Sequence, residues 1–286
     1  MPSTPGSEPK ELNRQLLLET VLYDLLWTVF HIGALATLLN GYARTSDAAT
    51  LKPWRHLLKD GNKVMQLALR YGPEVGLTPT GTATIAALYS DLATEKLALA
   101  MLMDGAKTRA GAEPQGLAAA CTAWRGLAKQ ARSALSAVDE ATVRRFGEFL
   151  IEDVQTLRQF LGEAAAGSDK RVGKFGEIAL PVLKQVRHQP RIAIAGRCTV
   201  IAGDKSIGAS LRDVSVKGLG ITCEEPLPDE ATITVVFEDG RQCKARVASR
   251  RGNQIGLLFE TRLGYDDPLL RQGTGADGKA RPRSAA

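Results

Sequence analysis

Near Arg191 the spacing of apolar residues changes, and that change constrains the fold more than any other feature of the 286-residue chain. Upstream, Leu16, Leu17, Thr20, Val21, Asp24, Leu25, Thr28 and Val29 fall at the i, i+3, i+4 steps of one helix face. "LATEKLALAMLMDGAK" and "EATVRRFGEFLIEDVQTLRQFLGEA" repeat the pattern, and the breaks fall at "NGYARTSD", "YGPEVGLTPTG", "DGAKTRAGAEPQG" and "SAVDE". Four or five helices joined by short loops predict a bundle over residues 9–165. Downstream the period is two. In "ATITVVFE", Ile233, Val235 and Phe237 share one face and Thr232 and Thr234 the other, which only a strand does.

The downstream region contains six such runs: "RIAIAGRCTVIAG", "GASLRDVSV", "GLGITCEE", "ATITVVFEDG", "RQCKARVASR" and "NQIGLLFET". Asp239-Gly240 is a hairpin signal and "RRGN" a second tight turn. So many short strands in a small region predict a six-stranded antiparallel β-barrel over residues 185–264. "AAAGSDKRVGK" is small and polar, so residues 166–184 are expected to be a linker, with Pro181 interrupting its later part. Residues 265–286 are expected to be a disordered tail after one helical turn. The fold class is thus α+β multidomain, a helical bundle followed by a small barrel.

Two features decide the compartment. Val21–Leu39 is nineteen residues long, close to a membrane span, but carries Asp24 and His31 and has no flanking Lys/Arg cluster. An Asp inside a span is expensive, so the segment is expected to be a buried bundle or oligomer helix, and membrane association is not expected. The N-terminus lacks the basic-then-apolar order of a secretory signal, and Cys121, Cys198, Cys223 and Cys243 form no CxxC pair. A cytoplasmic protein with reduced thiols is expected.

The formal charge of +6 is concentrated late: residues 181–286 hold 17 basic and 12 acidic residues, against 20 and 19 in residues 1–180. Such an excess suits an anionic partner. Arg187 and Arg191 stand four apart just ahead of the first strand. Guanidinium forks bind phosphate bidentately, donate to the Hoogsteen edge of guanine, or stack on a purine. Asp213 and Ser215 are two apart, so on a strand they share a face; a carboxylate there accepts from the two donors of a guanine Watson–Crick edge. Gly218 is expected to take a positive φ and to let a ligand approach closely.

Arg187-x-x-x-Arg191 followed by Asp213-x-Ser215-x-x-Gly218 on a six-stranded run resembles the PilZ domain, whose hallmarks are RxxxR and [D/N]xSxxG. The resemblance covers residues 185–262, and "ARVASRRGNQIGLLFE" is similar to the closing hairpin of that family. It implies binding of the bacterial second messenger cyclic di-GMP, with the Arg187–Arg191 segment swinging over the dinucleotide while Asp213, Ser215 and Gly218 lie beneath a guanine. Arg212, Lys217 and Arg250 are secondary candidates. The implied role is a receptor controlling a bacterial surface or motility output.

No enzyme is expected. "GDKS" lacks the glycine spacing of a P-loop, and His31, His56 and His188 fall in different elements without a Ser or Cys partner. Neither a cofactor nor a metal is implied. The helical region is expected to bind a protein partner or a second copy of itself. Within it, residues 54–81 resemble the helix-plus-"GLTP" segment of phage small terminase subunits, a DNA-associated reading. The even charge of residues 1–180 offers little grip on phosphates. A PilZ fold serving only structure or interaction is the other alternative.

Overall fold

The computed structural model describes residues 14–45, 77–107, 116–138, 143–144, 146, 148–168, 170–173, 177–184, 190–228, 232–264 and 267–272. They fall into two compact units: residues 18–188, and residues 189–286 together with residues 1–17.

Among the described residues, four long helices make up the helical unit: α1 (Arg14–Thr45, in this unit from residue 18), α2 (Pro79–Lys107), α3 (Leu117–Ser136) and α4 (Glu148–Ala165). They end at the breaks the sequence marks, with Gly116 in the left-handed region (φ +96°) just ahead of α3. Every residue from Ile32 to Gly41 in α1 is buried, so this stretch has no polar face. Of its most apolar window, 72% is buried, although by length and composition Leu18–Arg44 could cross a membrane. Burial against the other helices explains the apolar run that resembles a span. Gly33 faces the Phe160 ring of α4 so closely that a Cβ there would lie 2.5 Å from a ring carbon.

The polar residues of α1 are used inside the unit. Tyr89 Oη of α2 donates to Asp24 Oδ2 (3.0 Å) and stands 2.9 Å from Thr28 Oγ1. Burial, reinforced by the Asp24 charge, pushes the Tyr89 phenol well above its ordinary range. Asn40 receives the Arg125 Nε–H at 2.8 Å and donates to the Ala164 carbonyl at 3.3 Å, tying α1 to α3 and α4.

Residues 166–184 differ from the expected linker. Gly173 N donates to Glu177 O and Ala179 N to Arg171 O, both at 2.8 Å, and Val172 bridges Ile178. Arg171 pairs with Glu163 of α4 at 2.5 Å, and Lys184 N donates to Asp153 Oδ1 at 2.8 Å. Backbone hydrogen bonds and charges fasten the segment to the helices, and Val172 is buried within it. Residues 54–76, most of the terminase-like stretch, lie outside the described residues.

The second unit contains β1 (Ile192–Ala193), β2 (Arg197–Ala202), β3 (Lys205–Ser215), β4 (Gly218–Thr222), β5 (Thr232–Phe237), β6 (Gln242–Arg251) and β7 (Gln254–Phe259). Strands β3-β2-β5-β6-β7-β4 are hydrogen-bonded in that order, and β4 returns to β3, closing a six-stranded antiparallel barrel. The first sequence run splits in two at Gly196 (φ +143°), leaving β1 as a short addition to β3. Inward residues such as Val200, Val214, Leu219, Ile221, Val235 and Ala245 are fully buried and alternate with outward ones. Gly240 (φ +81°) and Gly252 (φ +60°) occupy the two expected hairpin turns.

The one helical turn expected at the start of the tail is Pro268–Gln272, a short helix, α5, with Leu269 and Leu270 buried in the barrel core cluster. Asp267 is the cause. Its Oδ1 accepts from Leu269 N at 2.9 Å and from Arg241 Nη1 at 2.9 Å, so it caps the helix and anchors it to the β5–β6 turn. Residues 273–286 lie outside the described residues.

Candidate functional site

The candidate site forms where β1 pairs with the last part of β3. Strand β2 accompanies β3 only from Lys205 to Ser210, which leaves the following ladder groups of β3 available. β1 takes them: Ile192 lies opposite Val214 and Ala193 opposite Asp213, and Ile194 N donates to Arg212 O at 3.1 Å. That pairing carries Arg191, one residue ahead of β1, to Asp213. Arg191 Nη1 donates to Asp213 Oδ1 at 2.8 Å. The second carboxylate oxygen receives Arg212 Nε–H at 2.9 Å, and Arg212 Nη1 also donates to Gln254 Oε1 on β7. A single carboxylate therefore sits between two guanidiniums, with side-chain exposures of 34% for Arg191, 39% for Arg212 and 18% for Asp213.

A register shift in the β3–β4 ladder between Leu211 and Asp213 lets Asp213 and its neighbours be re-aimed locally. Val214 and Val216 point into the core, so Asp213 and Ser215 stand on the outward side, as the two-residue spacing requires. Asp213 lies over Gly220 of β4, where a Cβ would come within 2.7 Å of both carboxylate oxygens. Gly220 thus makes the space that the carboxylate occupies.

Ser215 is placed differently from its expected ligand-facing role. Only 4% exposed, its Oγ accepts from Gly218 N (3.1 Å) and Lys217 N (3.4 Å) and donates to Gly218 O (3.3 Å). The hydroxyl closes the β3–β4 turn. Gly218 is not among the positive-φ glycines, which corrects the expected reason for it. A Cβ there would lie 2.2 Å from the Leu257 carbonyl oxygen, so the glycine admits a neighbouring strand of the barrel.

The structure brings Arg191, Asp213, Ser215 and Gly218 into one corner of the barrel; Arg187 falls at residues 185–189, outside the described residues. Of the secondary candidates, Arg212 is part of the corner. Arg250 donates to the Leu227 carbonyl, away from Asp213 in the ladder order. Gly220 and Gln254 were not singled out from sequence. The two glycines of "GLG" are the one sequence trace of Gly220, Gln254 has none, and both acquire meaning only once the register sets Gly220 opposite Asp213 and Gln254 opposite Thr222.

Chemically the corner offers guanidinium donors and planes on its rim and a carboxylate acceptor at its centre, and no nucleophile–base pair is among these residues. Residues 185–268, in the C-terminal third of the chain, match the family model of the PilZ domain. No curated protein matches the chain.

Proposed function

We propose that the chain is a cytoplasmic, non-enzymatic cyclic di-GMP receptor whose ligand lies over the Arg191–Asp213 corner of the barrel. The observation that supports this reading best is the 2.8 Å contact between Arg191 and Asp213, because it brings the two hallmark motifs together on an outward surface. The dinucleotide supplies what the corner lacks. Its phosphates and purine faces suit Arg191 and Arg187, and the N1–H and N2–H of a guanine replace the guanidinium donors on Asp213. Arg191 then exchanges an internal carboxylate for the ligand, so little charge is left unpaired in either state. Ser215 and Gly218 contribute by fixing the turn that holds Asp213.

The segment between Arg187 and Arg191 joins the helical region to the barrel in sequence, so its engagement by the ligand is the proposed route to a change in docking or self-association of the helices, and from there to a surface or motility output. Titration calorimetry of cyclic di-GMP into the full chain tests the reading. Micromolar or tighter binding is expected, with Arg191→Ala, Arg187→Ala and Asp213→Ala each weakening it about tenfold, equivalent to roughly 1.4 kcal/mol.

A second reading has its own support: both oxygens of Asp213 are already satisfied within the chain. On that reading the barrel is a PilZ fold kept for structure or protein interaction. Absence of binding heat with a folded wild-type chain establishes it over the first.

A further inference from the structure

A groove of about 530 Å³ crosses the outer face of the barrel. Thr199 of β2 and Gly208 and Ser210 of β3 line it, with Thr199 directly opposite Gly208 in the ladder. Gly208 is the informative residue. It lies inside a regular stretch of strand, its φ is not in the left-handed region, and a Cβ built on it meets no atom within 4 Å. Neither backbone conformation nor packing among the described residues requires glycine there. A glycine in a strand interior weakens it, and here its one physical effect is to keep the outer surface open to something that approaches closely.

The charge lining the groove is mainly negative. Glu238 stands on the β5 side and Glu224 and Glu225 on the side where β4 ends, and Arg197 is the one cation among the described lining residues. This is opposite in sign to the Arg191–Arg212 corner on the same strand β3. An anionic nucleotide therefore fits the corner and not the groove, and the groove calls for an extended cationic occupant.

The chain itself carries one. After α5 come residues 273–286, in which Lys279, Arg281 and Arg283 follow the last acidic residue, Asp277. The point of departure is set by the 2.9 Å pair between Asp267 and Arg241, and Arg241 is three residues beyond Glu238, on the groove's β5 side. Seven extended residues lead from Gln272 to Lys279, a reach of about 23 Å, comparable with the width of a small barrel. We propose that the groove is the docking site of this basic C-terminal segment, with Lys279, Arg281 and Arg283 set against Glu224, Glu225 and Glu238 and the backbone passing over Gly208.

The inference does not depend on dinucleotide binding. It is tested by amide NMR on the full chain, on a chain ending at Gln272, which keeps α5, and on the full chain with Lys279→Gln, Arg281→Gln and Arg283→Gln together. Removing the segment and neutralising it are expected to move the amides of Thr199, Gly208 and Ser210 in the same direction, and raised salt to reproduce the effect. With Glu224→Gln, Glu225→Gln and Glu238→Gln in place, or with Gly208→Leu filling the groove, truncation is expected to move those amides no further. Groove amides that are identical with and without the segment overturn the proposal, as does a truncation effect that survives the Glu→Gln set. Shifts that grow with protein concentration assign the groove to the segment of a second copy and overturn docking in cis.

Discussion

The two units spend their residues differently. In the helical unit, α1 is buried on every side from Ile32 to Gly41, and even its Asn40 and Thr37 are engaged internally. In the barrel every second residue faces out, so the core is made by one half of each strand and the other half is left to carry charge. The contrast teaches where recognition chemistry can accumulate: on a lattice whose outward positions are exempt from packing. Among the crowded glycines of the two units, Gly33 and Gly218 differ in what crowds them. At Gly33 it is the edge of the Phe160 ring, which can turn; at Gly218 it is the Leu257 carbonyl, which can move only if two strands part.

The largest effect is expected from Phe160→Ala, which empties a fully buried site and the notch at Gly33. It should cost about 3–5 kcal/mol, read by denaturant unfolding of the helical signal. Gly218→Ala should cost about 3 kcal/mol in the barrel, and Gly33→Ala about 1–2 kcal/mol in the helices, since a ring yields where a ladder does not. An equal or reversed order of those two removes the distinction drawn between the crowding partners.

A smaller effect is expected at Gly220. An added methyl displaces the Asp213 carboxylate without entering the core, so Gly220→Ala should weaken cyclic di-GMP binding several-fold and leave the melting temperature nearly unchanged. Loss of stability in place of affinity would mean that the outward positions are less exempt from packing than the contrast requires.

The smallest effect concerns the Arg171–Glu163 pair that fastens residues 166–184 to α4. Burial by itself would raise the Glu163 carboxyl, but hydrogen bonds from Arg171 and Gln159 together with the Arg171 charge outweigh it and lower it below its ordinary 4.5. A lowered folded value gives stability that is present above the ordinary value and is lost as pH falls through the folded one. The contribution is expected to be about 0.5–1 kcal/mol, and Glu163→Gln should flatten that part of the acid limb of the stability profile.

Much of the fold was legible from sequence, and the reasons are local. Period-two alternation identified the strands because a pleated backbone forces it, and Asp239-Gly240 marked its hairpin because glycine there takes a left-handed φ. Arg191 and Asp213 were singled out from the spacings Arg187-x-x-x-Arg191 and Asp213-x-Ser215-x-x-Gly218, and the β1–β3 pairing is what sets them in contact. The features that stayed hidden depend on register or on distant partners. Gly218 was noticed for the wrong reason, since only the β4–β7 pairing shows the Leu257 carbonyl beneath it. Gly220 and Gln254 have no meaning until β4 is set against β3 and β7. The helical turn of α5 was expected, but its anchor was not, because Asp267 and Arg241 stand twenty-six positions apart.

The return of β4 to β3 has a consequence for how such a surface can change over time. A ring offers no long free edge, so a peptide cannot attach by lengthening the sheet; β1, at two residues, gives little more. Whatever binds must be recognised by side chains standing outward, and these can be replaced one by one without breaking a ladder bond. The barrel can therefore explore new ligands by single substitutions while its folding instructions stay on the other side of the wall.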